Sequence, residues 1–225
     1  MSKIVHPYAH RLVILRDWKS RWFADTKKYT AFLKGDVLIR EYLEKKLRGM
    51  YVSSIEIERN QKTTRFIIRT SRPGLIIGRN GEGVTRLKDD ILKKMDKLKL
   101  PKQEDFKLEI VEVTNPEADA AIVAYMIAEG LEKRMTYRRV MKQLLDKVMQ
   151  APGVQGARFV LGGRLGGAEI ARTEELKRGS IPLQTFRADI DFKRERANLA
   201  YGVIGIKVWI YRGKIFAEKK NSKNS

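Results

Sequence analysis

Cysteine is absent from the 225-residue chain, which excludes a disulfide framework, a thiolate nucleophile and a zinc knuckle or finger. Histidine is scarce. His6 and His10 have no carboxylate cluster beside them and read as part of a basic arm rather than as metal ligands. Long hydrophobic runs are also missing: the longest mostly apolar one, "AAIVAYMIA" at Ala120 to Ala128, has nine residues, against the ~20 that a membrane-spanning helix needs. No signal-peptide pattern opens the chain, so a cytoplasmic protein without a membrane partner is expected. Acidic residues are in short supply as well. Against 47 Lys and Arg stand 27 Asp and Glu, a formal net charge of +20 that repels itself unless a polyanion screens it. The first candidates for that polyanion are nucleic acid and an anionic membrane surface, and the 43% hydrophobic content is enough to bury a real core, so a folded protein is expected, not a basic tail.

Along the chain, residues 1–25 interleave Arg11, Arg16, Lys19 and Arg21 with Tyr8, Trp18, Trp22 and Phe23, a mixture suited to an arm laid along RNA. The spacing of Phe32, Leu33, Leu38, Ile39, Tyr42, Leu43 and Leu47 predicts a helix from about Thr26 to Arg48, interrupted near Gly35-Asp36. The runs "YVSSIEIER" and "TRFIIRT" predict a hairpin. Val84, Leu87, Ile91, Met95 and Leu98 mark an amphipathic helix, and "DFKLEIVEV" a further strand. A domain boundary is expected at "TNPE", where Thr114 and Glu117 have capping-box spacing. Beyond it come two helical segments, about Glu117 to Gly130 and Glu132 to Gln150, and then β-rich runs. Those runs predict an α+β domain over 115–213, with two helices on a four-stranded, mostly antiparallel sheet. In "TFRADIDF", Phe186, Ala188, Ile190 and Phe192 are expected to share one face. The last residues, 214–225, read as a short basic and polar tail.

Between the hairpin and the amphipathic helix lies "RPGLIIGRNGEGVTRL", Arg72 to Leu87. It fits neither the P-loop nor the dinucleotide fingerprint. Gly78-Arg79-Asn80-Gly81 instead matches GXXG, the loop with which a KH domain clamps a nucleic-acid backbone. Gly78 and Gly81 would admit phosphates closely, Arg79 would neutralise one and Asn80 would donate a hydrogen bond, the other reading being an ordinary glycine-containing turn between two helices. A helix and two strands before the loop and a strand after the long helix fit a type II KH domain over 26–114. Gly74 and Gly83 are assigned to local chain geometry.

A second basic feature is "EKRMTYRRVMKQLLDKVMQ", where Arg134, Arg138 and Lys142 stand at four-residue steps with Arg139 beside them. Like charges at that spacing destabilise an isolated helix by roughly 0.2–0.5 kcal/mol per pair, which an anionic partner would offset. A solvated basic face is an equal reading of spacing alone. Around "LGGRLGGAEIARTEELKRG", Arg164, Arg172, Lys177 and Arg178 border a glycine-rich turn and are further candidate RNA contacts, as is Arg11 in the arm. No catalytic constellation or nucleotide-hydrolysis motif is present, and no cofactor is called for, so the chain does not read as an enzyme.

The motifs "RPGLIIGRNGE", "YRRVMK", "GRLGGAEIARTE", "PLQTFRADIDF" and "YGVIGIKVWIYRG", in this order, closely resemble bacterial small-subunit ribosomal protein three, and "HPYAHRL" and "WFADTKKY" extend the likeness over nearly the whole chain. The resemblance implies an N-terminal type II KH domain and a C-terminal α+β domain in the head of the small ribosomal subunit. Its implied partners are ribosomal RNA, neighbouring head proteins and mRNA, at the channel by which mRNA enters. Through "YRRVMK" it assigns Arg138, Arg139 and Lys142 to holding and unwinding incoming mRNA. Two departures stand out: Ala9 and Val13 replace usual glycines, and Arg79-Asn80 replaces a common pair of lysines. A free KH-type assembly or transcription factor is the alternative.

Overall fold

The computed structural model describes residues 5–60, 62–98 and 105–215. The chain forms two compact units, Trp18–Pro116 and a second that joins Met1–Asp17 to Glu117–Ser225. The tail expected over 214–225 lies almost wholly outside the described residues.

In the first unit, a short strand β1 (Ser20–Arg21) precedes helix α2 (Thr26–Lys46), hairpin strands β2 (Val52–Arg59) and β3 (Thr63–Thr70), helices α3 (Pro73–Ile77) and α4 (Glu82–Lys97), and strand β4 (Asp105–Glu112). Helix α1 (Pro7–His10) belongs to the other unit. The sheet runs β1-β2-β3-β4, antiparallel between β2 and β3 and parallel at both outer pairs. Apolar positions two apart on the strands and three or four apart on the helices meet in one core: Ile57, Phe66 and Ile68 under Ile39, Leu43, Leu87 and Ile91. Burying each such side chain contributes about 1.5–3 kcal/mol.

The expected break at Gly35-Asp36 does not occur; α2 is continuous. Asp36 is a buried anchor. It accepts from Trp22 Nε1 at 2.7 Å and from Arg59 Nε at 3.0 Å, and the Arg59 guanidinium sits 5.1 Å over the Phe32 ring. A buried carboxylate needs such partners, and here they tie β1's flank and β2 to the helix.

In the second unit, α5 (Ala120–Glu132) and α6 (Tyr137–Gln150) lead to β5 (Gly156–Gly163), β6 (Arg172–Gly179), β7 (Ala188–Leu199) and β8 (Gly202–Lys214). The sheet order is β6-β5-β8-β7 and every pairing is antiparallel. Val123, Ile127, Val140, Met141 and Leu145 of the helices pack on Phe159, Leu161, Ile206 and Val208 of one face. Ala188, Ile190 and Phe192 are buried on the opposite face, but Phe186 lies before the strand, half exposed and stacked on His10 at 4.1 Å. The capping expectation also needs correction. Asp119, not Thr114, caps α5, accepting from the Ala121 and Ile122 N–H groups at 2.8 and 3.2 Å.

Candidate nucleic-acid interface

The GXXG segment is built by two helices that nearly touch. Helix α3 ends at Gly78, whose φ of 70° and ψ of −172° are accessible essentially to glycine alone. Asn80 at φ 52° and Gly81 at φ 78° are both left-handed, a conformation that Asn tolerates better than most residues. The chain thus reverses and starts α4 with Gly81 as its N-cap. The first backbone N–H groups of a helix have no partner within it and carry the positive end of its dipole. Arg79 and Asn80 are exposed beside them, and Ile76 is buried below. Gly83 explains the close approach: a Cβ there would lie 2.4 Å from the Ile76 carbonyl oxygen and 2.8 Å from that of Ile77. Gly74 has open space around it and carries no such constraint.

On the second unit, α6 turns Val140, Met141, Leu145 and Val148 inward, which leaves Arg138, Arg139 and Lys142 exposed. Among the described residues neither Arg139 nor Lys142 has an ion-pair partner. Arg138 leans toward β6 and meets Glu174 at 3.5 Å. Glu174 also accepts from the Tyr137 hydroxyl at 2.8 Å, Arg172 donates to that hydroxyl at 3.1 Å, and Arg172 Nε stands 3.5 Å from Glu174. Hydrogen bonding to Tyr137, with Arg138 and Arg172 adding to it, holds the Glu174 carboxyl below the ordinary glutamate range. The same carboxylate, with the Tyr137 hydroxyl, raises the pKa of the Arg138 guanidinium. Farther along, Arg178 pairs with Asp146 at 2.6 Å. Helix and edge strand therefore present Arg138, Arg139, Lys142, Arg172 and Arg178 along one side. Tyr137 and Glu174 organise it, and they come together from 37 residues apart, a pairing that spacing does not signal.

The remaining candidates lie elsewhere. Arg134 is not on α6: it occupies the turn after α5 with φ 60°, so the expected four-residue ladder begins at Arg138. Arg164 is exposed but spends its guanidinium on the Ala168 and Tyr201 carbonyls at 2.9 and 3.3 Å, closing its turn. Lys177 points to the other face of β6, by strand alternation. Arg11 overturns its assignment as an RNA contact, because it has no solvent exposure. Its guanidinium donates to the carbonyls of Ala188 (2.6 Å), Leu183 (2.9 Å), Thr185 (3.0 Å) and Pro7 (3.0 Å). Burial lowers its pKa, with Asp189 opposing that shift. Arg16 binds Asp189 at 2.6 Å. Residues 5–17 are therefore docked on the second unit rather than arranged as a free arm. Among the described residues no cluster of three or more metal-ligating side chains is found, and no helix is long and apolar enough to cross a membrane.

Comparison with known proteins decides the family. Residues 127–210 match the family model described as ribosomal protein S3, C-terminal domain, and residues 38–118 match that of the KH domain. Small ribosomal subunit protein uS3 of Maridesulfovibrio salexigens is 47% identical over 215 residues, 96% of this chain and 97% of that protein. The chain belongs to the uS3 family. Its uS3 relatives from Caldicellulosiruptor bescii (46% over 219 residues, 97% and 96% of the two chains) and Clostridium novyi (42% over 220 residues, 98% and 96%) agree over the same span. All three are named as ribosomal proteins and none as an enzyme. The uS3 resemblance drawn from "YRRVMK" and the other motifs is thereby established, as is the α+β fold with an N-terminal KH domain.

Proposed function

We propose that this protein is an RNA-binding constituent of the small ribosomal subunit, placed in its head among ribosomal RNA and neighbouring proteins in the cytoplasm. There it lines the channel by which mRNA enters. The observation that carries the mRNA role is the exposed pair Arg139 and Lys142 on α6, without an ion-pair partner among the described residues, next to Arg138 held by Glu174. Cations fixed along one helix side engage successive backbone phosphates without reading bases, as an element that must accept every message requires. They would hold the single strand emerging from a hairpin, while translocation of the ribosome supplies the work. The GXXG loop is assigned to a second backbone contact, through the α4 N-terminus, Arg79 and Asn80.

The test is translation by ribosomes carrying Arg138→Ala, Arg139→Ala and Lys142→Ala together. Slower passage through a stable mRNA hairpin is expected, with unstructured messages read at the normal rate. Equal slowing on both would defeat the unwinding role. A free RNA-binding factor would instead be washed from small subunits by high salt, whereas an integral constituent stays bound.

A further inference from the structure

The sheet of the second unit has a face that α5 and α6 do not cover. On it, alternation along β7 and β8 sets Ile190 beside Tyr211, Phe192 beside Trp209, Arg194 beside Lys207 and Arg196 beside Gly205. One half of this face is closed. Ile190, Phe192, Trp209 and Tyr211 are buried, partly buried Ile181 and Leu183 pack against them, and His6 meets Phe192 edge-on at 4.8 Å. The other half is open: Arg194, Arg196, Gly205 and Lys207 are all exposed, and Gly205 pairs in register with Gly162 of β5. Two adjoining glycines leave a floor without side chains beneath the cations.

Three observations say what this half would take. Arg194 and Lys207 are directly opposed like charges, an arrangement that destabilises a strand pair unless an anion intervenes. Neither has an ion-pair partner among the described residues; Arg194 rests only on the Phe192 ring, at 5.5 Å. On the outward face of the other sheet the arginines have carboxylate partners, Arg21 on Glu56 and Glu58, Arg65 on Glu109 and Arg69 on Glu56. Finally, Trp209 and Phe192 are 6% and 8% exposed, so no ring is offered for stacking on an unpaired base.

We propose that the open half of this face, centred on Arg194 and Lys207, is a second RNA-binding surface that takes the phosphate backbone of a base-paired RNA. It lies on the opposite side of the sheet from α6, so a strand held at Arg139 and Lys142 does not occupy it. It goes beyond the mRNA role and stands or falls separately, because Arg138, Arg139 and Lys142 are intact in the variants that test it.

The experiment uses the purified full chain, a labelled RNA hairpin and an unstructured oligouridylate, with affinity measured over a salt series. Arg194→Gln with Lys207→Gln is compared with Lys27→Gln plus Lys28→Gln, an equal change of charge at exposed positions of α2. For the hairpin, the salt slope of log affinity should fall by about 1.4–1.8 in the first variant, the loss of two phosphate contacts, and by less than half of that in the second. Bound hairpin should also shield Lys207 from acetylation in the wild-type chain. A slope that falls equally in the two variants, with Lys207 acetylated at the same rate with and without hairpin, overturns the proposal and leaves the face to an acidic protein. An equal loss of slope on oligouridylate overturns the assignment to base-paired RNA.

Discussion

Gly83→Ala should unfold the KH unit more easily, and Gly74→Ala should not, although the two glycines lie nine positions apart in the same short stretch. An alanine Cβ at position 83 would stand 2.4 Å from the Ile76 carbonyl oxygen and 2.8 Å from that of Ile77. Carbon–oxygen contacts settle near 3.2–3.4 Å, so α3 and α4 must separate by most of an ångström, and both obstacles are backbone that no rotamer change can move. Overpacking of this kind costs about 3 kcal/mol, the upper end of the usual range. Replacing a helical glycine by alanine returns about 1 kcal/mol. The net loss of about 2 kcal/mol corresponds to a melting midpoint lower by about 8–16 °C for a unit of this size. At Gly74 nothing lies within 4 Å of the added carbon, so only the propensity gain remains and the midpoint should hold or rise slightly. Thermal unfolding of both variants, followed by circular dichroism, decides the matter. Equal midpoints, or a greater loss at Gly74, would refute the claim that close helix packing at Gly83 shapes the GXXG loop.

Other substitutions probe the second unit. Arg11→Ala orphans the buried carbonyls of Ala188 and Pro7 and takes the donor from the part-buried ones of Pro182, Leu183 and Thr185, so it should cost about 4 kcal/mol and expose residues 5–17 to protease; Arg11→Lys should not rescue, because an ammonium lacks the planar fork, and full stability in either variant would contradict the docking role. Val13 holds φ 70°, a region costly for a β-branched residue, so Val13→Gly should gain about 1 kcal/mol after the entropy of glycine is deducted, read as a higher unfolding midpoint. Glu174 titrates below its ordinary value in the folded protein. Its contribution is therefore complete above the unfolded value and is lost as pH falls through the lower, folded one. An NMR titration should give a depressed midpoint that moves up in Tyr137→Phe; an unmoved midpoint would remove Tyr137 from the cluster.

Much of this was legible from local pattern. Gly78 and Gly81 announce a sharp reversal, and the apolar steps of α4 and α6 announce which sides are buried, because both signals are contained in a few neighbouring residues. Val13, which stands where the resemblance implies a glycine, holds a positive φ, a conformation that glycine adopts freely. Arg11 was misread for a physical reason: amid aromatic and basic neighbours it looks like a phosphate ligand, while its acceptor Ala188 is 177 residues away. Asp36 suggested a helix break for the same reason, since Arg59, which makes a buried carboxylate tolerable there, lies 23 residues on. The role of Glu174 beside Tyr137 and Arg138 likewise depends on β6 being paired to β5 at the side where α6 packs. Helix faces and turns can be read from spacing, but the neutralisation of a given cation depends on which strand the fold brings beside it.

Crosslinking in intact ribosomes bears most directly on the mRNA role. A photoreactive amino acid replacing Arg139 or Lys142, in small subunits programmed with labelled message, should crosslink to mRNA on its incoming side, and the same group at Lys177 on the opposite sheet face should not. Crosslinks from positions 139 and 142 that reach only ribosomal RNA or protein, with the message untouched, would contradict the assignment of α6 to mRNA.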